Sequence, residues 1–422
     1  MPPNAARFPR SWCAIMGLND TGWEKVLAAH RAALARDGYF TISSRELGKI
    51  SGREPRLMAK HDFSTAVPAP LRQAGLNVIP VSRSHYLVGK FSLFHPFPDI
   101  SGPVKTLRIP PGIETMGRIT SEAVALNAGV VAGMLDDFLG HGPYYPTMSG
   151  RMSTLDIPLR LAGRDFTVER AQMEIDGGFE SLHHLVIVEA KNHISRDFNI
   201  RQLYFPFRRF QLSLSKPVVP VYMVYTNGLV NLYRFEFTDP SNLHSIRLVD
   251  SARYALAPSL LQAQTLLEAV RAVSVVDTPV AFPQADNFGR VINLVELLEQ
   301  RPLSKAEICA EYDFTPRQAD YYCAAARYLG LVDDSLRLTL PGAQLVSAES
   351  RDSRNLVLIR ALAARPVFHD VLAQAFASGQ VPAPAVIANA ISALGLSDST
   401  CRRRAKTVHS WATWAMELAQ PG

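Results

Sequence analysis

Cysteine is scarce in this chain. Its 422 residues include four, Cys13, Cys309, Cys323 and Cys401, too widely spaced for a CxxC pair. That spacing excludes a zinc-thiolate site and points to reduced thiols in a cytoplasmic protein. Long apolar runs are lacking too. None approaches the roughly 18 residues that a membrane span needs, so no membrane partner is expected, and the opening MPPNAARFPRSW has no apolar segment of the kind a secretory signal carries. Charged residues make up only 19% against 47% hydrophobic, the balance of a globular chain. A chain of this length should hold two to four domains.

The net charge of +6 is unevenly spread. Lys and Arg stand against Asp and Glu as 13 to 7 in residues 1–100, 15 to 15 in 101–250, 8 to 12 in 251–350 and 8 to 4 in 351–422. A polyanion would therefore be gripped by the two ends and mildly repelled by the third quarter.

The chain is organised around residues 172–202. They read as a strand carrying Asp176 at its end, a return relieved by Gly177 and Gly178, a second strand ending in Glu189, Ala190 and Lys191, and a helix. Side chains two apart on a strand share a face, so Gln172, Glu174 and Asp176 lie together, as do Glu189 and Lys191. A tight turn at the two glycines would bring Asp176 alongside Glu189 and Lys191. Two carboxylates and a lysine suit a hard cation such as Mg²⁺. Such a cation activates water and neutralises phosphodiester charge, while the lysine orients that water and stabilises developing negative charge. The competing reading is a charged solvent face or a structural ion pair. Against it, residues 185–188 are wholly apolar, as in a buried strand whose terminal charges need a reason.

Asp176, twelve intervening residues and then Glu189-Ala190-Lys191 resemble the PD-(D/E)XK nuclease superfamily, in which an acidic residue precedes a strand-borne (D/E)XK triplet. Ile175 stands where the proline of that label would be. The resemblance implies that Asp176 and Glu189 ligate Mg²⁺, with Mn²⁺ able to substitute, that Ala190 adds a backbone carbonyl, and that Lys191 acts on the nucleophilic water. It implies a further ligand from the helix before the catalytic strands, where Glu122 is the matching residue; a first-turn glutamate favoured by the helix dipole is the alternative. Gln202 and Tyr204 resemble positions on the helix after the catalytic lysine, either contacting the scissile strand or capping the core.

The flanking regions carry the expected DNA contacts. In a first domain, 1–98, helices at 20–36, 43–50 and 68–74 with strands at 39–42, 76–80 and 85–91 suggest a winged-helix-like module. Its Arg56, Lys60, Arg83, Ser84, His85 and Tyr86 mix cations with hydrogen-bonding and aromatic groups, which suits phosphate positioning and base-edge reading; a solvated loop and hairpin would read the same way. The segment SRSHYLVGKF resembles one in N-terminal domains of some restriction endonucleases. The nuclease domain, 99–256, opens on an irregular Pro- and Gly-rich crossing and a helix over 120–139 capped by Thr120 or Ser121. It closes on strands at 218–225 and 229–237 about an Asn227-Gly228 hairpin signal. Pro206 is expected to kink or split the helix that follows Lys191.

A third domain, 257–350, shows helices at 258–273, 290–299, 304–311 and 315–329, with a capping box at Ser304 and Glu307, Thr315-Pro316 as cap and first helical residue, and a wing near 331–340. Its acidic balance favours a structural or protein-contact role. The last domain, 351–422, has helices at 354–376, 384–394 and 399–418. The final helix carries Arg402, Arg403, Arg404 and Lys406 before an apolar stripe of Val408, Trp411, Ala415 and Leu418. It resembles the recognition helix of winged-helix domains that accompany restriction nucleases; the alternative is a basic surface helix.

The expectation is therefore a mixed α/β PD-(D/E)XK restriction-endonuclease-like core between N-terminal and C-terminal winged-helix-like domains. The function it implies is that of a Mg²⁺-dependent type II restriction endonuclease cutting double-stranded DNA at a specific sequence, as a homodimer paired with a cognate DNA methyltransferase. The alternatives are a repair or mobile-element nuclease of the same superfamily, or a non-catalytic winged-helix DNA-binding regulator.

Overall fold

The computed structural model describes residues 18–419 apart from 99, 101, 102, 117, 118, 120, 194, 257, 258, 313 and 393–396, with 310 and 311 in backbone only. Cys13 and the candidate cap Thr120 lie outside the described residues, and Cys309, Cys323 and Cys401 are free thiols. The fold is mixed α/β, and no described helix is long and apolar enough to cross a membrane.

The N-terminal part comprises α1 (Leu18–Ala29), α2 (Arg31–Asp37), β1 (Tyr39–Ser43), α3 (Ser44–Ser51), α4 (Pro55–Ala59), α5 (Ala69–Gln73), β2 (Asn77–Pro80) and β3 (His85–Gly89). The single helix expected over 20–36 is two, broken at His30. Gly38, at φ 78°, ends α2, and the Ser43 hydroxyl caps α3 by accepting from the Glu46 N–H. The strands form an antiparallel sheet in the order β1-β3-β2, packed on the helices through buried Trp23, Val26, Ile42, Leu47 and Leu71.

The middle part holds β4 (Phe94–Pro96), β5 (Val104–Thr106), α6 (Glu122–Val131), α7 (Met134–Leu139), β6 (Tyr145–Ser153), β7 (Asp156–Leu161), β8 (Arg164–Glu169), β9 (Gln172–Glu180), β10 (Leu185–Lys191), β11 (Asp197–Asn199), α8 (Arg201–Gln211), β12 (Val218–Thr226), β13 (Leu229–Phe237) and β14 (Ile246–Ala255). Seven of the strands form one sheet in the order β5-β14-β13-β12-β10-β9-β6, parallel at β10–β12 and β14–β5 and antiparallel elsewhere. A parallel pair needs a crossover, and α8 supplies it between β10 and β12. Successive residues of β10 serve opposite faces: Leu185 and Ile187 pack with the α8 side, Val186 and Val188 with α6 and α7. That two-sided burial is why residues 185–188 of the strand are all apolar. The Asn227-Gly228 hairpin forms as expected, with φ of 56° and 67°.

Several local expectations change. Gly177 and Gly178 do not turn the chain; they lie within β9 opposite Val188 and Ile187, and the return is made at residues 181–184. Both are needed for close packing, since a Cβ on Gly177 would stand 2.6 Å from the Phe179 ring and 2.7 Å from Leu126 of α6, and one on Gly178 would strike Met148. The 120–139 helix is two, α6 and α7, parted at Gly133 with φ 81° and capped by Ser121. Pro206 does not split α8. The N–H it lacks would have reached the Gln202 carbonyl in the first turn, and the burial of Tyr204, Phe205 and Phe207 around it holds the helix together.

The C-terminal part is helical: α9 (Ala263–Arg271), α10 (Phe288–Gln300), α11 (Lys305–Tyr312), α12 (Pro316–Tyr328), α13 (Leu340–Ser347), α14 (Arg351–Ala363), α15 (Pro366–Ser378), α16 (Pro384–Ser392) and α17 (Asp398–Met416). Where a wing was expected there is one bridge, Val332 to Leu338. The two domains expected at 257–350 and 351–422 share one core, whose buried residues run from Leu261 to Leu418. The border at 98/99 is likewise bridged, because Ile79, Leu87, Phe91 and Leu93 belong to the same core as Ile157, Ile187 and Tyr204.

Gly177 makes this packing testable. Gly177→Val should destabilise the protein by about 1–3 kcal/mol by forcing α6 off the sheet, read by urea denaturation. A loss below about 0.5 kcal/mol, the size of an ordinary surface change, would show that α6 does not depend on this close approach.

Candidate active site

The end of β10 is where the sheet opens. β9 pairs with β10 from Glu180 opposite Leu185 as far as Gly177 opposite Val188. Beyond that the ladder stops, and Asp176 Oδ2 accepts the Ala190 N–H at 2.8 Å. The side chain takes over from the backbone at the point where the strands part, which brings Asp176 to Glu189 and Lys191 as expected, by divergence rather than by a glycine turn.

Lys191 Nζ lies 2.5 Å from Glu189 Oε1, 3.0 Å from the Ala190 carbonyl and 3.9 Å from Asp176 Oδ2. One ammonium therefore sits among three of the four donors expected to hold a cation, Glu122 being the fourth. Gln202 Nε2, from the first turn of α8, donates to the same Glu189 oxygen at 2.5 Å. Glu122, first residue of α6, accepts the Asn192 N–H at 3.0 Å, so it stands beside the group with one oxygen already engaged.

Burial governs the electrostatics. Glu189 is 7% exposed, and its carboxyl is pushed up to about 7 by burial, with Lys191 pulling down and Asp176 pushing up. Burial works to lower the Lys191 pKa, but Glu189, Tyr222, Asp176 and Glu122 together raise it well above its ordinary value. The pair is thus a buried carboxylate whose tendency to take up a proton is opposed by a neighbouring cation.

A cleft of about 610 Å³ opens over these groups. Its floor includes Asp176, Glu189, Lys191 and Gln202, with Gln172 and Glu174 on the β9 face shared with Asp176; its far wall is Arg56, Lys60, Arg83 and Tyr86 of the N-terminal part. A second cavity of about 310 Å³ lies against Lys191 and Glu122 and is bounded by Asp62, Gln300 and Arg301.

The other expected contacts divide. Arg83 is exposed and donates to Ser153 Oγ at 2.8 Å, while Ser84 and His85 are exposed and bonded to each other at 3.0 Å. Tyr204 is fully buried and donates to the Pro240 carbonyl at 2.9 Å, so it caps the core and cannot touch DNA. In α17, Arg402, Arg403 and Lys406 are exposed, but Arg404 is 9% exposed, donates to the Phe282 carbonyl and stacks on the Phe282 ring. Arg404 is a packing residue and leaves the set of expected DNA contacts. Its position explains this: Arg404, Val408, Trp411 and Ala415 recur at helical spacing on the buried stripe. None of the α17 cations lines either cavity that contains Lys191.

The sequence reading passed over Arg201, Asp62, Gln300 and Arg301 as site residues. Only Arg201 carried a signal, its place beside Gln202 at the start of the helix that follows the lysine.

Among the described residues no group of three or more His, Cys, Asp or Glu is arranged as a metal cluster. The donors here are two carboxylates and one carbonyl, and that set suits Mg²⁺, which takes one or two carboxylates and completes its shell with water and phosphate oxygens.

Residues 20–88, 89–255 and 290–420 match three family models, described respectively as Domain of unknown function (DUF6996), Domain of unknown function (DUF6997) and Domain of unknown function (DUF7226). The site strands thus fall within the second of these spans. No curated protein and no solved structure matches the chain.

His61, 4% exposed on the segment leading into the cleft, has its pKa lowered to about 4 by burial, with Asp62 and a backbone bond to Met58 opposing. A histidine whose folded pKa is depressed contributes full stability above its unfolded value near 6.5, and that stability is lost as pH falls toward 4. The loss should reach about 3 kcal/mol at most. His61→Gln should flatten urea-derived stability between pH 6.5 and 4.5 relative to wild type; parallel curves would rule out His61 as the source.

Proposed function

We propose that this chain is a Mg²⁺-dependent endonuclease that hydrolyses phosphodiester bonds of double-stranded DNA at a specific sequence, most like a type II restriction enzyme. The observation that carries the reading is the gathering of Asp176, Glu189 and the Ala190 carbonyl about one ammonium, since ligands that converge on one cation suit another. The chain order adds support: α6 with Glu122, antiparallel β9 and β10 with the acidic pair, then α8 with Gln202 against Glu189, the order that the PD-(D/E)XK resemblance implies.

Asp176, Glu189 and the Ala190 carbonyl would hold Mg²⁺, with Mn²⁺ able to replace it and Glu122 as a further ligand. Bound there, the ion supplies an activated water and neutralises phosphodiester charge. Lys191 orients that water and stabilises the negative charge that develops on the phosphate. Gln202 fixes the Glu189 carboxylate so that its oxygens keep their aim. The N-terminal part acts as a winged-helix-like DNA-binding module, and the helical C-terminal part, where one bridge stands in place of the wing, grips DNA through the exposed cations of α17. Cutting both strands needs two such sites, hence a homodimer, and a cognate methyltransferase would protect the host's own sites.

Asp176→Ala, Glu189→Gln and Lys191→Ala should each reduce Mg²⁺-dependent plasmid cleavage to background while leaving duplex affinity within a few-fold, because these groups act on the transition state and affinity comes from other cations. An Asp176→Ala protein that linearises plasmid at the wild-type rate would remove the site assignment.

The outer cations should separate by role. Arg83 and Tyr86 face the cleft and, with Ser84 and His85, offer the mixed donors and acceptors that base edges require. Arg402, Arg403 and Lys406 have no amide partner for adenine and supply phosphate grip. Arg83→Ala should cost roughly 1–3 kcal/mol on the cognate site and little on unrelated DNA. Arg403→Ala with Lys406→Ala should weaken both duplexes alike and lower the salt slope by about one per lost contact. Titration of both variants on both duplexes at several salt concentrations decides it, and equal weakening of both duplexes by Arg83→Ala would contradict the division.

A further inference from the structure

The cations around the cleft are mostly engaged. Lys191 is held by Glu189, Lys60 lies 3.4 Å from Asp62, and Arg83 donates to Ser153. Arg201 differs. It is the first residue of α8, its N–H is bonded to Asn199 Oδ1 at 3.1 Å, and its guanidinium lines the cleft. Among the described residues that guanidinium makes no hydrogen bond or ion pair, and it lies over the Phe205 ring, 5.9 Å from ring centroid to guanidinium carbon. Burial lowers its pKa, and Asp62, Glu189 and Tyr86 oppose this electrostatically without pairing with it.

A half-buried guanidinium without a carboxylate is costly unless a ligand supplies the anion. Its planar fork fits a phosphate through two parallel hydrogen bonds, which a lysine cannot reproduce. Stacking on Phe205 restrains the fork before any ligand arrives. Its neighbour Gln202 touches Glu189, so an anion taken by Arg201 would lie beside the carboxylate-lysine group.

We infer that Arg201 is the phosphate clamp of this cleft, its guanidinium taking the phosphodiester group that faces Glu189 and Lys191. The inference rests on the nuclease reading for the identity of the reacting group, but the anion contact itself stands on the geometry of Arg201.

The test uses the full chain, with Arg201→Gln and Arg201→Lys, and with Arg271→Gln, an exposed residue at the end of α9, as control. Anisotropy titrations of a labelled mixed-sequence duplex, without divalent metal and at several salt concentrations, should show Arg201→Gln losing about one unit of salt slope and about tenfold in affinity at low salt. Arg201→Lys should keep the slope, and the control should match wild type. With Mg²⁺ and saturating plasmid, Arg201→Gln should cleave about 100-fold more slowly or worse, as for loss of one charge-stabilising donor, and Arg201→Lys should recover part of that rate. Thermal melts keep a folding defect apart from these effects, and Arg201→Lys carries the comparison if Arg201→Gln does not fold.

A wild-type slope together with a wild-type saturated rate in Arg201→Gln overturns the inference. A lost slope with an unchanged saturated rate overturns the placement at the reacting phosphate. If inorganic phosphate at matched ionic strength displaces the duplex equally from wild type and from Arg201→Gln, the anion site shared with the duplex is not Arg201 and the clamp is wrong. Arg201-dependent duplex binding with no Mg²⁺-dependent cleavage by wild type would instead sink the nuclease reading and leave the anion contact standing.

Discussion

A carboxylate taken out of water must be answered by a cation or by hydrogen bonds, and Glu189 imposes that demand on everything around it. It lies at the end of a central strand, almost wholly buried, where its own tendency is to take up a proton. Lys191 answers with charge and Gln202 with an amide N–H. Each answer needs its own element. Lys191 must sit two residues along the same strand, so that both side chains share a face. Gln202 requires α8 to cross back over the sheet, and that crossing is what makes β10 and β12 parallel. Asp176 completes the group only because β9 leaves β10 at Gly177, freeing the Ala190 N–H for its carboxylate.

The N-terminal part is bound to this centre through backbone rather than through a loose linker. Asn199 N donates to the Asp62 carbonyl, Asn199 Nδ2 to the His61 carbonyl, and Asp197 Oδ1 accepts from Ser64 N. Glu169 N reaches the Val81 carbonyl at 2.7 Å. These bonds tie the segments that carry Lys60 and Arg83 to the segments either side of β9 and β10. The cleft width between those cations and Glu189 is therefore set by hydrogen-bond lengths, and a border drawn at residue 98 crosses a shared core instead of a hinge.

Much of this was legible where one local rule decides the outcome. Asn227-Gly228 needs two positive φ values, and few other residue pairs accept them. Ser43, Ser304 and Thr315 each stand before a helical run and cap it through side-chain bonds. The apolar run at 185–188, closed by Glu189 and Lys191, marked the site strand. What was illegible depended on neighbours distant in sequence. Gly177 and Gly178 read as a turn because glycine permits one, whereas here they are small because Leu126, Phe179 and Met148 close on them. Arg404 read as one of four equivalent cations because the run of arginines hides the helical phase; Trp411, seven residues on and buried, fixes that phase and turns Arg404 inward. Arg201 was passed over because a single arginine beside a glutamine is common, and only the cleft gives it meaning.

The C-terminal part meets the site through polar contacts, and this limits how it can move. Asn293, fully buried, donates to the Asn192 carbonyl at 2.7 Å and accepts from the Tyr312 hydroxyl at 2.9 Å. Glu296 receives Arg354 at 2.7 Å and the Thr226 hydroxyl at 3.1 Å. Apolar contact alone tolerates sliding, since its energy follows area and not direction. Buried hydrogen bonds do not, because a small shift leaves desolvated groups without partners at about 1–3 kcal/mol each. The network therefore fixes the orientation of the helical part on the sheet, one residue beyond Lys191. On the reading proposed above, a polyanion gripped by the exposed cations of α17 is held at a set distance and angle from the cleft, and the grip adds to the placement of the reacting phosphate as well as to affinity.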